Sequence, residues 1–334
     1  MRDVAALAGV SLKTVSRVIN DEPGVKDEIR SRVSAAADRL DYRHNRGASN
    51  LRSASGRTGS IGALVQDVSN SFSASLLRAL EDSARARGNA VLAASLDEEE
   101  ARERALVNSL VERRVDGLVI IPATSRQDYL AGDLRAGLPV VFVDRKPAGV
   151  DADSVSVDNV EGGLLATNHL LTQGHRRVAA ILDNISIPTA EQRRRGYFKA
   201  HAARGVSPDP ELIVTEVRDA AHAQEAAERL LALPDPPTAF FAGRNVISLG
   251  VARALAARGL RHSVAVVGFD DFPMADLLEP PLTVIRQDVT RIGRLAAELL
   301  FARIDGDTSA PTHVVLEPTL VCRGSGEIPP RALS

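Results

Sequence analysis

From about residue 60 the chain alternates short apolar runs with amphipathic stretches, and it does so twice over. Ile61–Val65, Ala90–Ala94, Gly117–Ile121 and Val140–Val143 read as buried strands, with helices near 74–87, 99–113 and 126–136 between them. A second set follows at Val178–Leu182, Leu212–Thr215, Ala239–Ala242 and Val264–Val267, with helices near 160–173, 190–204, 221–232 and 246–258. Such alternation implies parallel sheets covered by helices on both faces. Two sets imply two Rossmann-like lobes. Ligands of such folds lie beyond the strand C-termini, which here means the cleft between the lobes.

The first sixty residues are different. Val4, Leu7 and Ala8 share one helical face, Gly9 permits a left-handed turn, and Ser11 is placed to cap a second helix over about 12–19. That helix buries Val15, Val18 and Ile19. A small Ala5 suits the crossing point, so the pair reads as a helix-turn-helix. A third helix, about 27–41, carries Ile29, Val33, Ala36, Ala37 and Leu40 on one stripe. Leu12, Lys13, Thr14, Ser16, Arg17 and Asn20 are the outward positions of the second helix, from which side chains reach base edges and phosphates.

Charge supports this division. The chain carries −2 overall, yet residues 1–58 hold eleven Lys/Arg against seven Asp/Glu, a net +4 that leaves −6 for the rest. A basic head on an acidic body suits contact with phosphates at one end. No apolar run approaches the ~20 residues of a membrane span, and no secretory signal precedes the first helix. Cys322 is the single cysteine, which excludes an intrachain disulfide and a cysteine-based metal cage. A cytoplasmic protein without membrane contact is expected.

Asp3-Val4-Ala5-Ala6-Leu7-Ala8-Gly9-Val10-Ser11-Leu12-Lys13-Thr14-Val15-Ser16-Arg17-Val18-Ile19-Asn20 resembles the headpiece of the lactose-repressor (LacI/GalR) family. The resemblance continues through Leu40-Asp41-Tyr42 and Asn45-Arg46 to about Gly326. It implies an all-α helix-turn-helix headpiece on an α/β periplasmic-binding-protein-like body of two Rossmann-like lobes. Residues 1–44 would form the headpiece and 45–58 a hinge helix and linker. Residues 59–334 would form the effector-binding and dimerisation body, with a first lobe of about 59–158 and 288–316 and a second of about 159–287 and 317–328. By the same resemblance Leu12, Lys13 and Arg17 read bases, and Thr14, Ser16 and Asn20 hold phosphates. Ala48 and Leu51 belong to the minor-groove hinge, where a paired apolar side chain wedges between base steps. The implied partners are a pseudo-palindromic double-stranded operator, a second copy of the chain and a small effector, a sugar or sugar derivative. No cofactor and no catalysis are implied.

Three departures stand out. Met1-Arg2 replace a capping Thr, which implies either a poorly capped first helix or a start codon upstream. His44 stands where Pro is usual. Gly47 lies inside the hinge helix, where it costs roughly 0.5–1 kcal/mol relative to Ala, so the hinge is expected to lean on DNA to fold.

For an enzyme the motifs are missing: no Gly-x-Gly-x-x-Gly follows the first strand, and there is no Gly-Lys-Ser/Thr loop or Gly-x-Ser-x-Gly elbow. His169 and His175 read as structural. Asp270-Asp271 are adjacent on a strand end and point oppositely, so they do not face one substrate. An exported solute-binding protein would suit the body but not the headpiece. The cleft candidates are the strand-end groups Asp67, Thr124 and Asp144, the helix-start Phe72, and Gln287 beside a crossover. By resemblance Arg193 and Asp270 reach the effector. Ala242-Gly243-Arg244-Asn245 replaces the family's Ala-Asn-Asp, bringing a cation, Arg244, beside a neutral amide, Asn245. A phosphorylated or acidic sugar would suit this cation through charge-assisted bonds. A plain sugar is the alternative.

Overall fold

The computed structural model describes residues 1–19, 22–42, 57–124 and 126–330. It divides into two units, Met1–Thr58 and Gly59–Ser334.

In the first unit, helices α1 (Arg2–Ala8), α2 (Leu12–Ile19) and α3 (Asp27–Arg39) enclose a small core of Val4, Ala5, Ala8, Val15, Val18, Val33 and Ala36. Gly9 ends α1 in the left-handed region at φ 62°, and Val10 N–H returns to Ala5 O at 3.0 Å. Ser11 Oγ accepts from Thr14 N at 3.1 Å and so caps α2. Met1 at the head of α1 offers no side-chain cap. Two expected core residues lie outside. Leu7 is 45% exposed because α1 turns Val4, Ala5 and Ala8 into the core instead, and Leu40 is 42% exposed because α3 has already ended before it.

In the second unit the strands form two six-stranded sheets among the described residues. Sheet one contains β1 (Ser60–Val65), β2 (Ala90–Ser95), β3 (Leu118–Ile120), β4 (Val140–Val143), β5 (Asp153–Val157) and β11 (His313–Leu316), in the order β11-β5-β4-β3-β1-β2. Sheet two contains β6 (Val178–Ile181), β7 (Ile213–Val214), β8 (Ala239–Ala242), β9 (Ala265–Phe269), β10 (Thr283–Arg286) and β12 (Thr319–Val321), in the order β12-β10-β9-β8-β6-β7. All pairings are parallel except β10 with β12, which is antiparallel and departs from the all-parallel expectation.

The helices α4 (Ser71–Ala86), α5 (Glu100–Glu112), the short α6 (Ala131–Arg135) and α11 (Val289–Ile304) belong with sheet one. Helices α7 (Asn159–Thr172), α8 (Pro188–Ala203), α9 (Ala220–Leu231) and α10 (Asn245–Ala257) cover sheet two. Both faces of each sheet are therefore buried, which is why β3, β4, β6, β8 and β9 are continuous apolar runs. β2 differs: it is a largely exposed edge strand, with Leu92 40% exposed. The chain passes between the sheets after Val157, after Arg286 and after Leu316. No helix among the described residues is long and apolar enough to cross a membrane.

Two histidines sit in the second lobe's interior. His175 bridges Thr238 Oγ1 at 2.9 Å and Ile328 O at 2.8 Å, and His201 Nδ1 donates to Tyr197 O at 3.0 Å. Burial pushes both imidazoles below their ordinary 6.5, so the folded state keeps them neutral. Below that value the unfolded chain binds protons that the folded chain does not, and stability falls as pH falls. Urea unfolding should therefore show a lower unfolding free energy at about pH 5.5 than at pH 7.5, by up to about 1.4 kcal/mol per pH unit for each histidine.

Candidate functional site

On the first unit, α2 turns Val15 and Val18 inward, so its outer face presents Leu12, 47% exposed, and Lys13, also exposed. Thr14, Ser16 and Arg17 are half-buried. Thr14 Oγ1 lies 2.9 Å from Ser11 Oγ. Arg17 folds back onto the loop before α3: its Nη2 donates to Pro23 O at 2.5 Å, and its Nε lies 3.5 Å from Glu22 Oε2. To reach a base it must leave these partners. Asn20 and the hinge positions Ala48 and Leu51 lie outside the described residues.

On the second unit, the C-terminal strand ends of both sheets face one cleft. It holds a cavity of about 740 Å³ and an adjoining small one of about 40 Å³. The lobes contribute to the small cavity in the same way. Asp144 follows β4, Asp270 follows β9, and both adopt the left-handed region, at φ 68° and 69°. Aspartate is among the few non-glycine residues that tolerate this conformation. Each backbone N–H bonds the next strand, Asp144 to Val155 O and Asp270 to Ile285 O, both at 2.9 Å. The two aspartate backbones are thus fixed at matching positions in the two lobes. Burial pushes the Asp144 carboxyl above the usual carboxylate range.

Arg193 lies between the aspartates. It projects from α8, is 5% exposed, and rests 3.7 Å above the Phe269 ring. Its Nε donates to Asn159 Oδ1 and its Nη1 to Gly243 O, both at 2.8 Å, while Nη1 stands 3.7 Å from Asp270 Oδ2. Burial lowers its pKa, opposed by Asp270 and Asp144. Gln287 Nε2 donates to Asp270 Oδ1 at 2.5 Å. That carboxylate fixes the amide's orientation, since only the NH₂ end can face it. Gln287 Oε1 is then a buried acceptor with no hydrogen-bond partner among the described residues. Phe72, in the first turn of α4, closes the same cavity with an apolar surface.

Two guanidiniums at the cavity, those of Arg145 and Arg244, are paired with acids, while a third lining residue, Arg218, is exposed. Arg145 makes a two-pronged contact with Glu98, at 2.8 and 2.6 Å. Arg244 pairs with Asp183 and donates to Arg218 O at 3.1 Å. Arg145 Nε and Arg244 Nε are buried donors with no hydrogen-bond partner among the described residues.

Three sequence candidates are engaged otherwise. Thr124 lines the large cavity, but its hydroxyl donates to Glu103 Oε1 at 3.2 Å and Arg126 O at 3.0 Å. Asp67 lines it too, yet accepts from Ser69 N at 2.8 Å in its own turn. Asn245 borders neither cavity. It bridges the lobes: Asn70 Nδ2 donates to Asn245 Oδ1 at 3.1 Å, and Asn245 Nδ2 donates to Ser71 Oγ at 3.0 Å. Glu98, Arg145, Asp183 and Asn70 were not singled out from sequence. Asp183 and Arg145 did carry a signal, for both lie just past apolar strand runs.

The first unit matches a family profile described as bacterial regulatory proteins, lacI family, over residues 1–45, and a periplasmic binding protein-like domain matches 167–326. The ribose operon repressor of Escherichia coli (strain K12) is 33% identical over 328 residues, covering 97% of this chain and 99% of that protein. Among solved structures, the transcriptional regulator CelR–cellobiose complex is 33% identical, with a TM-score of 0.72, covering 97% of this chain and 98% of that one. The lac repressor dimer bound to operator and the anti-inducer ONPF is 27% identical, with a TM-score of 0.82 and the same two coverages.

Proposed function

Because this chain belongs to the lacI family of bacterial regulatory proteins, we propose that it is a repressor of carbohydrate genes whose hold on its operator is set by a neutral sugar in the interlobe cleft. It is a DNA-binding transcriptional repressor and not an enzyme. Residues 1–44 read the operator, 45–58 form the hinge and 59–334 carry the effector site and the dimer contact. Leu12, Lys13 and Arg17 contact bases, Thr14, Ser16 and Asn20 contact phosphates, and Ala48 and Leu51 act in the minor groove. Two copies set two headpieces about one helical turn apart on a pseudo-palindromic site.

One observation carries the effector class. The Asp270–Gln287–Arg193 cluster offers buried acceptors and donors at fixed positions, including the unpartnered Gln287 Oε1, while Arg145 and Arg244 are neutralised by Glu98 and Asp183. A ring of hydroxyls satisfies such a cluster. A phosphate would have to displace those carboxylates to take the paired edges of Arg145 and Arg244, which leaves it the exposed Arg218 of the lining. The ribose operon repressor and the cellobiose complex name sugars, whereas the relatives called PurR, 29–31% identical, name none, so the class rests on the cluster itself. Effector contacts from both lobes favour one lobe angle over another, and the hinges respond to that angle. A coupling of about 1–3 kcal/mol is typical of such linkage.

Isothermal titration of the full chain against neutral pentoses, hexoses and disaccharides and their phosphorylated counterparts tests this. The expected result is saturable binding of a neutral sugar, with its phosphorylated form at least about tenfold weaker, or ~1.4 kcal/mol. Preference for the phosphorylated form, or no binding across the panel, overturns it.

A further inference from the structure

On the second lobe, three chemically reactive side chains from three segments converge. His169 lies near the end of α7, Cys322 directly follows β12, and Glu327 closes the 3₁₀ turn Ser325–Glu327. Their ligand atoms all lie within 4.8 Å of one another. We propose that His169, Cys322 and Glu327 form a binding site for one divalent transition metal ion, best suited to Zn²⁺.

The arrangement is more specific than a surface coincidence. Glu327 Oε2 is already anchored, accepting from Gly324 N at 2.7 Å and Thr283 Oγ1 at 2.8 Å. That leaves Oε1 turned toward His169 Nε2, 2.8 Å away. Both atoms are shielded from solvent, and besides each other and the neighbouring Cys322 thiol they have no hydrogen-bond partner among the described residues. The imidazole and the carboxylate face each other across one proton, with the carboxylate's other oxygen held by a second set of donors, so a metal that displaces that proton meets both ligand atoms. The imidazole is held in place by packing: a Cβ at Gly326 would stand 3.1 Å from His169 Cδ2, so glycine lets the ring lie on the backbone. Cys322 is exposed, so its thiol can swing the remaining distance and its proton can leave to solvent as the thiolate binds.

The donor set selects the ion. One thiolate, one imidazole and one carboxylate suit Zn²⁺, whereas Mg²⁺ and Ca²⁺ prefer oxygen alone. Zn–S of about 2.3 Å and Zn–N and Zn–O of about 2.0–2.2 Å put tetrahedral donors roughly 3.3–3.8 Å apart. The site therefore closes by about 1 Å at the thiol and opens by less than that between His169 and Glu327. Three protein ligands leave the fourth position to solvent or an outside ligand. An ion there fastens β12, which begins just after the third crossing, to α7, which begins just after the first. Two of the three interlobe connections would then share one clamp.

The test uses the full chain stripped by chelator dialysis. Zn²⁺ titration against a chromophoric chelator should show one ion per chain, and Co²⁺ should add a thiolate-to-metal charge-transfer band. Cys322→Ser should abolish that band, and Cys322→Ser and Glu327→Gln should each weaken Zn²⁺ by at least about tenfold, the scale on which even outer ligands act. Thermal unfolding of the metal-free variants checks that the fold is kept. The proposal is overturned if the wild type takes up no stoichiometric Zn²⁺, if the cobalt band is missing, or if Cys322→Ser binds Zn²⁺ as tightly as the wild type. None of these outcomes depends on the effector's identity.

Discussion

Replacing Arg193 by alanine should remove about 3 kcal/mol of stability and weaken effector binding by roughly 10–150-fold. The guanidinium is 5% exposed and serves four groups at once: Asn159 Oδ1, Gly243 O, the Phe269 ring and the Asp270 carboxylate. Without it, Asp270 and the high-pKa Asp144 lose their shared cation in a buried setting. Removing one partner of a buried pair typically costs about 3–5 kcal/mol. The lower end applies here because the cleft lets solvent take over part of the role. The affinity loss follows from a charge-assisted hydrogen bond of about 1.5–3 kcal/mol. Arg193→Lys separates the two effects. It keeps the charge and should recover part of the stability, but a single ammonium cannot reach both Asn159 and Gly243 in the same fork. Urea unfolding and calorimetric titration measure the pair of effects. An Arg193→Ala chain whose effector affinity stays within twofold of wild type removes Arg193 from the site.

Gly196→Ala should destabilise the body by about 3 kcal/mol or more, at the upper end of what overpacking costs. A Cβ at Gly196 would lie 2.2 Å from Val160 O and 2.6 Å from Leu164 N, and one at Gly163 would lie 2.3 Å from Arg193 O. Helices α7 and α8 thus touch backbone to backbone at a glycine pair, and no rotamer change relieves the overlap. The same contact sets Arg193 of α8 beside Asn159 of α7, so the substitution should blunt effector binding as well. Gly132 in α6 is the control: nothing lies within 4 Å of its would-be Cβ, and it is exposed. There Ala should stabilise, by up to about 1 kcal/mol from helix propensity alone. The two Gly→Ala changes should therefore move the melting temperature in opposite directions, Gly196→Ala lowering it by roughly 6–12 °C. Equal small effects would contradict the close helix contact.

Much of this was legible from the residues. Buried parallel strands are runs such as Val140–Val143 and Ala239–Ala242, and their alternation with amphipathic helices let both lobes be read directly. Strands β5, β10, β11 and β12 were not singled out because they mix polar and apolar residues; Ser154 is buried although nothing local says so. Apolar composition also made β2 look central when it is an edge. Within the cleft, Asp144 was visible as an acid at the end of an apolar run, and Asp270 and Arg193 through the family resemblance. The pairings of Arg145 with Glu98 and Arg244 with Asp183 were not, because each joins residues far apart in the chain. The same is true of the lobe-bridging Asn70–Asn245 contact, which took Asn245 from effector ligand to interlobe bridge.

The most direct measurement is binding of the purified full chain to duplex DNA from upstream of its own gene, over a series of salt concentrations, with and without the sugar found by titration. The expected result is tight binding to one segment over scrambled duplex, a steep fall with salt as phosphate contacts are lost, a clear change in affinity on adding the sugar, and loss of sequence preference in Lys13→Ala. Equal weak binding to every duplex, unmoved by any sugar, would contradict it.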